Sequence, residues 1–410
     1  MPIFLSPRSV GTILALACLA GCGGGGGGGS SGGASPSPGP SPTPSPSPTP
    51  GCTITNPNQT CVAGVLLTPA SDPPPGDPPP IDSQANRFVW ETPEYLQNYG
   101  LAQIGASFAY AKNAFGQNTT IAVIDVGNQT NHPEVYGRVD PDSTSIYDER
   151  GDIVEGDNRW AHGLQCATLA MGTKNDTGAH GVAIDATLLY IRADAGYGWP
   201  SLNDFPLHTP DDLAQSIDYA VANGADVISL SLGVSEDPDR ILYDAIERAT
   251  NAGVVIVTAL GNYFDGRADA EKKIVLYPAA YGGDPAFQGR LVLAGASNAS
   301  GEIAFFSPRA GNDGQVAFLL APGANMLVPG GGLSRNTLLQ PGNTTSYVRD
   351  SGTSFAAPHI AGAIALVMSG TGTNAVDALQ LLYDNAVDVG EPGTDPVNGV
   401  GRIDLRPIFE

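Results

Sequence analysis

Basic residues are scarce in this chain: 19 lysines and arginines stand against 41 aspartates and glutamates, a formal net charge of −22. That balance argues against nucleic acid as a partner and against electrostatic docking on anionic lipid; what it provides is a solvated surface. Cysteine is scarce as well. Five in 410 residues cannot form a disulfide framework, so the core has to be held by burial. Neither His-Glu-x-x-His nor paired Cys-x-x-Cys occurs, which removes the common zinc spacings. Beyond Cys22 no stretch is expected to be long and apolar enough to span a bilayer, which takes ~20 apolar residues.

What the chain has in excess is glycine and proline, 53 and 35 residues, many of them crowded near the start. Residues 1–22, "MPIFLSPRSVGTILALACLAGC", combine Arg8, an apolar run and small residues before Cys22, the pattern of an export signal. "LAGC" resembles the lipobox of bacterial lipoproteins. That resemblance implies a signal peptide over 1–21, lipid on the Cys22 sulfur and a membrane anchor, at the outer membrane or cell surface rather than soluble. Gly23 following Cys22 is consistent with outer-membrane sorting. From Gly23 to about Pro80 the Gly, Ser/Pro/Thr and Pro/Asp composition cannot offset its own ordering entropy, so residues 22–90 read as a tether. Cys52 and Cys61 interrupt it; in an exported chain a small disulfide loop is favoured over two free thiols.

From Thr120 onward short apolar strands alternate with amphipathic helices, the signature of an α/β domain with a mostly parallel sheet covered on both faces. The strands are "TIAVIDVG" (120–127), "ATLLYIRA" (186–193), "ADVISLSLG" (225–233), "GVVIVTALGN" (253–262) and "RLVLAGASN" (290–298). One helix is announced by Thr209 as N-cap, Pro210, two acids and Gly224 as stop; another is expected over 237–253. Ligands of such sheets lie at the carboxyl ends of the strands, where Asp125, Ser231 and Asn262 fall.

Hydrolysis of an acyl bond by a nucleophile needs a hydroxyl or thiol, a base, a group that orients the base and donors for the oxyanion. "SGTSFAAPHIAGAIALVMSG" (351–370) runs from a Gly-Thr turn into a small-residue helix, with Ser354 where unpaired N–H groups collect; a plain N-cap is the other use of serine there. "RWAHGLQCATLAMG" (159–172) places His162 one helical turn from Cys166, which leaves a thiol–imidazole dyad, half a metal site, or a catalytic histidine beside a buried thiol.

"GTSFAAPHIAG" resembles the serine segment of the subtilisin-like serine peptidases, the subtilases; "IAVIDVG" resembles their aspartate segment and "AHGLQCATLAMG" their histidine segment. "VVIVTALGN" is similar to the strand that delivers their oxyanion asparagine, and "NHPEVYGRV" to the loop after the aspartate. The order Asp, His, Ser is the subtilisin order. The resemblance runs from about Glu94 to Asp404, within a peptidase domain expected over 91–410, and implies a subtilisin-like three-layer fold and a serine endopeptidase acting on proteins or peptides. It assigns Ser354 as nucleophile, His162 as base, Asp125 as its orienting partner, and Asn262 with the Ser354 N–H as oxyanion donors. Ser231, Leu232, Gly233 and Ala259, Leu260, Gly261 would flank the pocket for the residue before the scissile bond. Subtilases of the proteinase K type have cysteine at this place in the histidine helix, which makes Cys166 a packing residue.

The chain departs from the family pattern at Val126, where a hydroxyl residue is usual, and at Leu164 and Gln165, which replace the second half of the family's His-Gly-Thr-His. His132, His180, His208 and His359 are expected to pack or face solvent. No cofactor is required for the chemistry. The family often binds structural calcium, but "TKNDTGAHGVA" (173–183) is short for its calcium loop, and no metal ligands are assigned. "ETPEYLQNYGLAQIGASFAYAKNAFGQNTT" (91–120) resembles the start of autotransporter subtilase passengers; neither a folded pro-segment before it nor a translocator barrel after "NGVGRIDL" (398–405) is expected. "SEDPD" (235–239) reads as a solvated helix start rather than a basic-side-chain site at Glu236 or Asp237. Two other classes remain: a binding lipoprotein on a degenerate peptidase scaffold, and a Cys/His or zinc hydrolase.

Overall fold

The computed structural model describes residues 60–62, 65–67, 86–127, 130, 132–146, 161–194, 208–235, 240–264, 268, 272–330 and 347–410. The signal peptide, Cys22, Cys52, Glu236 and Asp237 lie outside the described residues. β1 (Thr60–Val62) and β2 (Val65–Leu67) pair antiparallel with Cys61 opposite Leu66. They fall in a unit spanning residues 21–80, distinct from the unit that contains 81–410.

In that second unit three short helices, α1 (Pro93–Gln97), α2 (Tyr99–Ile104) and α3 (Ala106–Ala111), precede β3 (Thr120–Asp125) and β4 (Thr144–Ser145). α4 (His162–Met171), β5 (Thr187–Arg192), α5 (Pro210–Ala222), β6 (Val227–Leu230), α6 (Ile241–Asn251), β7 (Val255–Ala259) and β8 (Leu291–Ser297) continue the alternation. Then come α7 (Gly311–Gly314), β9 (Phe318–Pro322), β10 (Met326–Pro329), β11 (Tyr347–Asp350), α8 (Thr353–Thr371), α9 (Ala375–Asp384), β12 (Gly401–Arg402) and α10 (Arg406–Phe409). The expected strands are all present, β3 trimmed at its carboxyl end and the others at both ends. α5 starts as its sequence signals: Thr209 and Asp212 form a reciprocal capping box. α6 starts later than expected, at Ile241.

Eight strands form one sheet in the order β12-β9-β8-β7-β6-β3-β5-β4, and every neighbouring pair in it is parallel. The chain leaves β3 toward β5 on one side and toward β6 on the other, so the strand order reverses at β3. In open parallel sheets that reversal opens a crevice at the carboxyl ends. Alternation along β3 builds the three layers. Ile121 and Val123 join the cluster made with α4 and α8, whereas Ala122 and Ile124 join the cluster made with α5 and α6.

α8 is long and apolar enough to cross a membrane by length and composition, contrary to the expectation above. Residues 353–367 of it are buried inside the protein, so it is the core helix of the α4/α8 layer. This burial fixes the depth and direction of the helix whose first turn carries Ser354.

Candidate active site

Asp125 ends β3, fully buried, at the reversal of strand order. His162 opens α4 across the crevice, and its Nδ1 lies 2.7 Å from Asp125 Oδ1. A carboxylate oxygen only accepts, so Nδ1 carries a proton, and in the neutral imidazole Nε2 is the nitrogen that keeps its lone pair. Burial opposes charge on this imidazole, but the Asp125 carboxylate outweighs it and holds the pKa well above the ordinary histidine value. Asp125 Oδ1 also accepts the Val126 N–H at 2.7 Å, while Oδ2 has no partner among the described residues. Val126, the residue after the aspartate, brings no hydroxyl that could serve that oxygen.

Ser354 is the second residue of α8, behind Gly352 as N-cap, so it is not the cap itself. The Thr353 N–H donates to Asn262 Oδ1 at 2.9 Å and the Phe355 N–H to the Gly352 carbonyl at 3.1 Å. The Ser354 N–H between them has no acceptor among the described residues, as expected of a helix's first turn. Because Oδ1 of Asn262 is the acceptor, the orientation of its amide is decided and Nδ2 is its donor end. Thr353 Oγ1 reinforces this with a 3.0 Å bond to the Gly261 carbonyl.

The carbonyl of Ser354 receives two side chains, Ser231 Oγ at 2.8 Å and Cys166 Sγ at 3.4 Å. Ser231, expected to flank the substrate pocket, therefore uses its hydroxyl to hold the serine's backbone. Cys166 lies with Sγ 3.9 Å from His162 Nδ1, on the face the helical spacing implied. Burial pushes its thiol pKa up, so it remains protonated and inert.

Groups that sequence reasoning missed support the aspartate. Tyr190 Oη donates to the carbonyls of Val126 and Gly127, at 3.1 and 3.0 Å. Gly163 makes room for it, since a Cβ there would sit 1.8 Å from Tyr190 Oη. The buried Arg192 guanidinium binds both oxygens of Asp194, at 2.8 and 3.0 Å, and Asp194 Oδ1 takes the Gly127 N–H at 3.0 Å. Only the apolar run of β5 is visible in sequence; its polar end is not.

Residues 116–401 match the description "Subtilase family". The chain belongs to the subtilase family. It is similar to the major intracellular serine protease of Bacillus subtilis (strain 168), 30% identical over 293 residues, 71% of this chain and 79% of that protein. The intracellular serine protease of Paenibacillus polymyxa is 31% identical over 254 residues, 62% of this chain and 67% of that protein. Subtilisin E of Bacillus subtilis (strain 168) is 31% identical over 283 residues, 67% of this chain and 62% of that protein. As a subtilase the chain is a serine endopeptidase, a hydrolase of protein and peptide substrates.

This subtilase uses its unusual histidine segment for packing. Leu164 is buried in the core, and Gln165 Nε2 donates to the Pro329 carbonyl at 3.1 Å, tying α4 to β10. His132, His180, His208 and His359 are all buried. Burial lowers His180 and His359 to about 4, and His359 Nδ1 bonds the Phe355 carbonyl at 2.7 Å. His208 Nε2 meets the Gly233 carbonyl at 3.1 Å, which fixes one wall of the crevice.

The loop that the family associates with calcium turns the wrong groups inward for a cation. Glu94 takes the N–H groups of Asn175 and Asp176 at 3.2 and 3.0 Å, so donors, not carbonyls, face its carboxylate. Calcium needs six to eight oxygen ligands. Glu134, fully buried, accepts from Tyr347 Oη, and burial raises its pKa to about 7. With its oxygens taken by the Asn175 and Asp176 N–H groups, Glu94 beside this loop does not fit the ion. Among the described residues, the one group of three metal-capable side chains is Asp125, His162 and Cys166, and its imidazole Nδ1 is already engaged with Asp125.

Proposed function

We propose that this subtilase is a lipid-anchored endopeptidase of the bacterial cell envelope that cleaves protein segments through Ser354, His162 and Asp125. The observation that carries the catalytic part is the 2.7 Å Nδ1–Oδ1 contact between His162 and Asp125, two residues brought to one crevice with the first turn of α8. His162 Nε2 takes the proton of Ser354 as the hydroxyl attacks the scissile carbonyl, and returns it to the leaving amine. Asp125 keeps the tautomer and stabilises the imidazolium. The tetrahedral oxyanion is received by Asn262 Nδ2 and the Ser354 N–H, donors already oriented before substrate arrives. Segments 231–233 and 259–261 offer backbone to an extended substrate, which favours unfolded or loop regions.

The anchor rests on "LAGC" at 19–22 and on the Gly/Ser/Pro composition that follows, which would hold the enzyme away from the bilayer. A disulfide between Cys52 and Cys61 within the tether belongs to the same reading.

The deciding experiment compares wild type with Ser354→Ala on an unfolded protein substrate and with a serine-directed fluorophosphonate. Wild type is expected to cleave and label, and the variant to do neither; equal cleavage and labelling sinks the assignment. Labelling of intact cells with and without surface proteolysis reports exposure, and Cys22→Ser should release the protein from the membrane fraction.

A further inference from the structure

The turn that follows Asp125 is held from outside by the polar end of β5, and all four backbone polar groups of Val126 and Gly127 have partners. The Val126 N–H binds Asp125 Oδ1 at 2.7 Å, and the Gly127 N–H binds Asp194 Oδ1 at 3.0 Å. The Val126 carbonyl takes the Gly163 N–H at 3.2 Å and Tyr190 Oη at 3.1 Å, and the Gly127 carbonyl takes the same phenol at 3.0 Å. With no hydroxyl at position 126, the carboxylate is oriented through this backbone.

Two residues from each element close a ring here. Asp125 is joined to Val126 by a peptide bond, as His162 is to Gly163. Two hydrogen bonds link the pairs, His162 Nδ1 to Asp125 Oδ1 at 2.7 Å and the Gly163 N–H to the Val126 carbonyl at 3.2 Å. The second bond is at the long end of the N–H···O range and fixes the carbonyl weakly on its own. Tyr190, buried in the α4/α8 layer, takes hold of that shared carbonyl. Burial, with the charges of Asp125 and Asp194, raises its phenol pKa well above the ordinary value, so it stays a neutral donor. It reaches the turn through a gap at Gly163, where a Cβ would lie 1.8 Å from Oη and 2.8 Å from the Val126 oxygen. Arg192, two residues along on the same face of β5, fixes both oxygens of Asp194 on the other side of the turn.

We infer that Tyr190 is a positioning residue: through the Val126 carbonyl it sets the separation of Asp125 from His162, while the Arg192–Asp194 pair holds the other side of the same turn. This inference rests on the proposed serine mechanism and adds to it a residue that acts only through the Asp125–His162 pair. Without the phenol, two buried carbonyls lose a donor and the ring keeps only its long bond. The carboxylate then shifts from Nδ1, which weakens its hold on the imidazolium and misplaces Nε2 for the serine proton.

The test is Tyr190→Phe, which keeps the ring and removes only the hydroxyl, beside Tyr110→Phe. Tyr110, on α3, is the matched control: it is equally buried, and its Oη donates to the Val182 carbonyl at 2.6 Å. Tyr190→Phe should lower kcat about 10- to 100-fold with KM within about threefold of wild type. The acid limb of its kcat/KM profile should move to lower pH, because His162 loses part of its support. The titratable groups facing His162 are Asp125 from β3, Cys166 from its own helix and Asp350 from β11, and Asp125 is the one whose place depends on Tyr190. Ring-proton NMR titration of His162 reads the same shift without turnover. Tyr110→Phe should lose a similar amount of melting temperature and keep kcat. If Tyr190→Phe keeps both kcat and the acid limb, or loses no more kcat than Tyr110→Phe, the phenol only stabilises the fold and the inference fails. If wild type neither cleaves nor labels with the fluorophosphonate, the serine mechanism fails, and the NMR titration decides alone: an unshifted His162 overturns the positioning role, a shifted one upholds it. If Tyr190→Phe does not fold, Asp194→Asn, which turns an N–H₂ toward Arg192 and loosens the other side of the turn, is judged by the same kcat, KM and pH readings.

Discussion

Asn262 and Thr353 are joined by a 2.9 Å hydrogen bond from the Thr353 N–H to the Asn262 amide oxygen. One side chain thereby caps the helix that carries Ser354 and turns its own N–H₂ end into a defined donor. The proposed oxyanion donor, Asn262, and the helix turn that carries the proposed nucleophile, Ser354, are thereby tied together by one bond.

These two jobs of Asn262 can be separated. Asn262→Asp keeps an acceptor for the Thr353 N–H but loses the donor, so kcat should fall about 100- to 1,000-fold with the melting temperature nearly kept. Asn262→Ala loses both and should also cost ~1 kcal/mol of stability, as a lost cap does. Retention of wild-type kcat in the aspartate variant would refute the donor role.

The orphan Oδ2 of Asp125 predicts a gain from repair. Val126→Thr is close to isosteric and offers a hydroxyl beside a buried acceptor that has no partner among the described residues. A bond formed there should stabilise the protein by about 1 kcal/mol in chemical denaturation. Asp125→Asn, in contrast, reverses the tautomer of His162 and should reduce kcat about 10,000-fold. A destabilised threonine variant would mean that the hydroxyl is buried without reaching the carboxylate.

Cys166 should prove dispensable. Its thiol is held protonated by burial, and its contact with His162 Nδ1 is 3.9 Å against 2.7 Å for Asp125. Cys166→Ala is expected to keep kcat/KM within about threefold of wild type, less than 1 kcal/mol of transition-state energy. Losses matching those of His162→Ala would restore a thiol–imidazole dyad.

Glu134 makes stability depend on pH in the direction opposite to an ordinary ion-paired carboxylate. Its folded pKa is raised to about 7 from 4.5, so the folded state holds the proton more tightly than the unfolded state. That contribution is full below pH 4.5 and is lost as pH rises through about 7. Glu134→Gln should remove the loss, leaving the variant increasingly more stable than wild type between pH 5 and 8, by up to roughly 3 kcal/mol. Parallel stability curves across that range would show that Glu134 does not titrate there.

The parallel strands, the capped α5 and the positions of Asp125, His162 and Ser354 at the ends of their elements were legible in sequence. Each depends on local information: the period of apolar residues, a capping box, a small-residue helix. Several features that decide the site are not local. Tyr190 over the carbonyls of Val126 and Gly127 and Ser231 on the Ser354 carbonyl join residues far apart in the chain. The same holds for the N–H groups of Asn175 and Asp176 at the Glu94 carboxylate. A sequence pattern determines which face of a strand or helix is apolar, and so which elements form. Which polar atom meets which follows only when the packed layers fix distances to a fraction of an ångström.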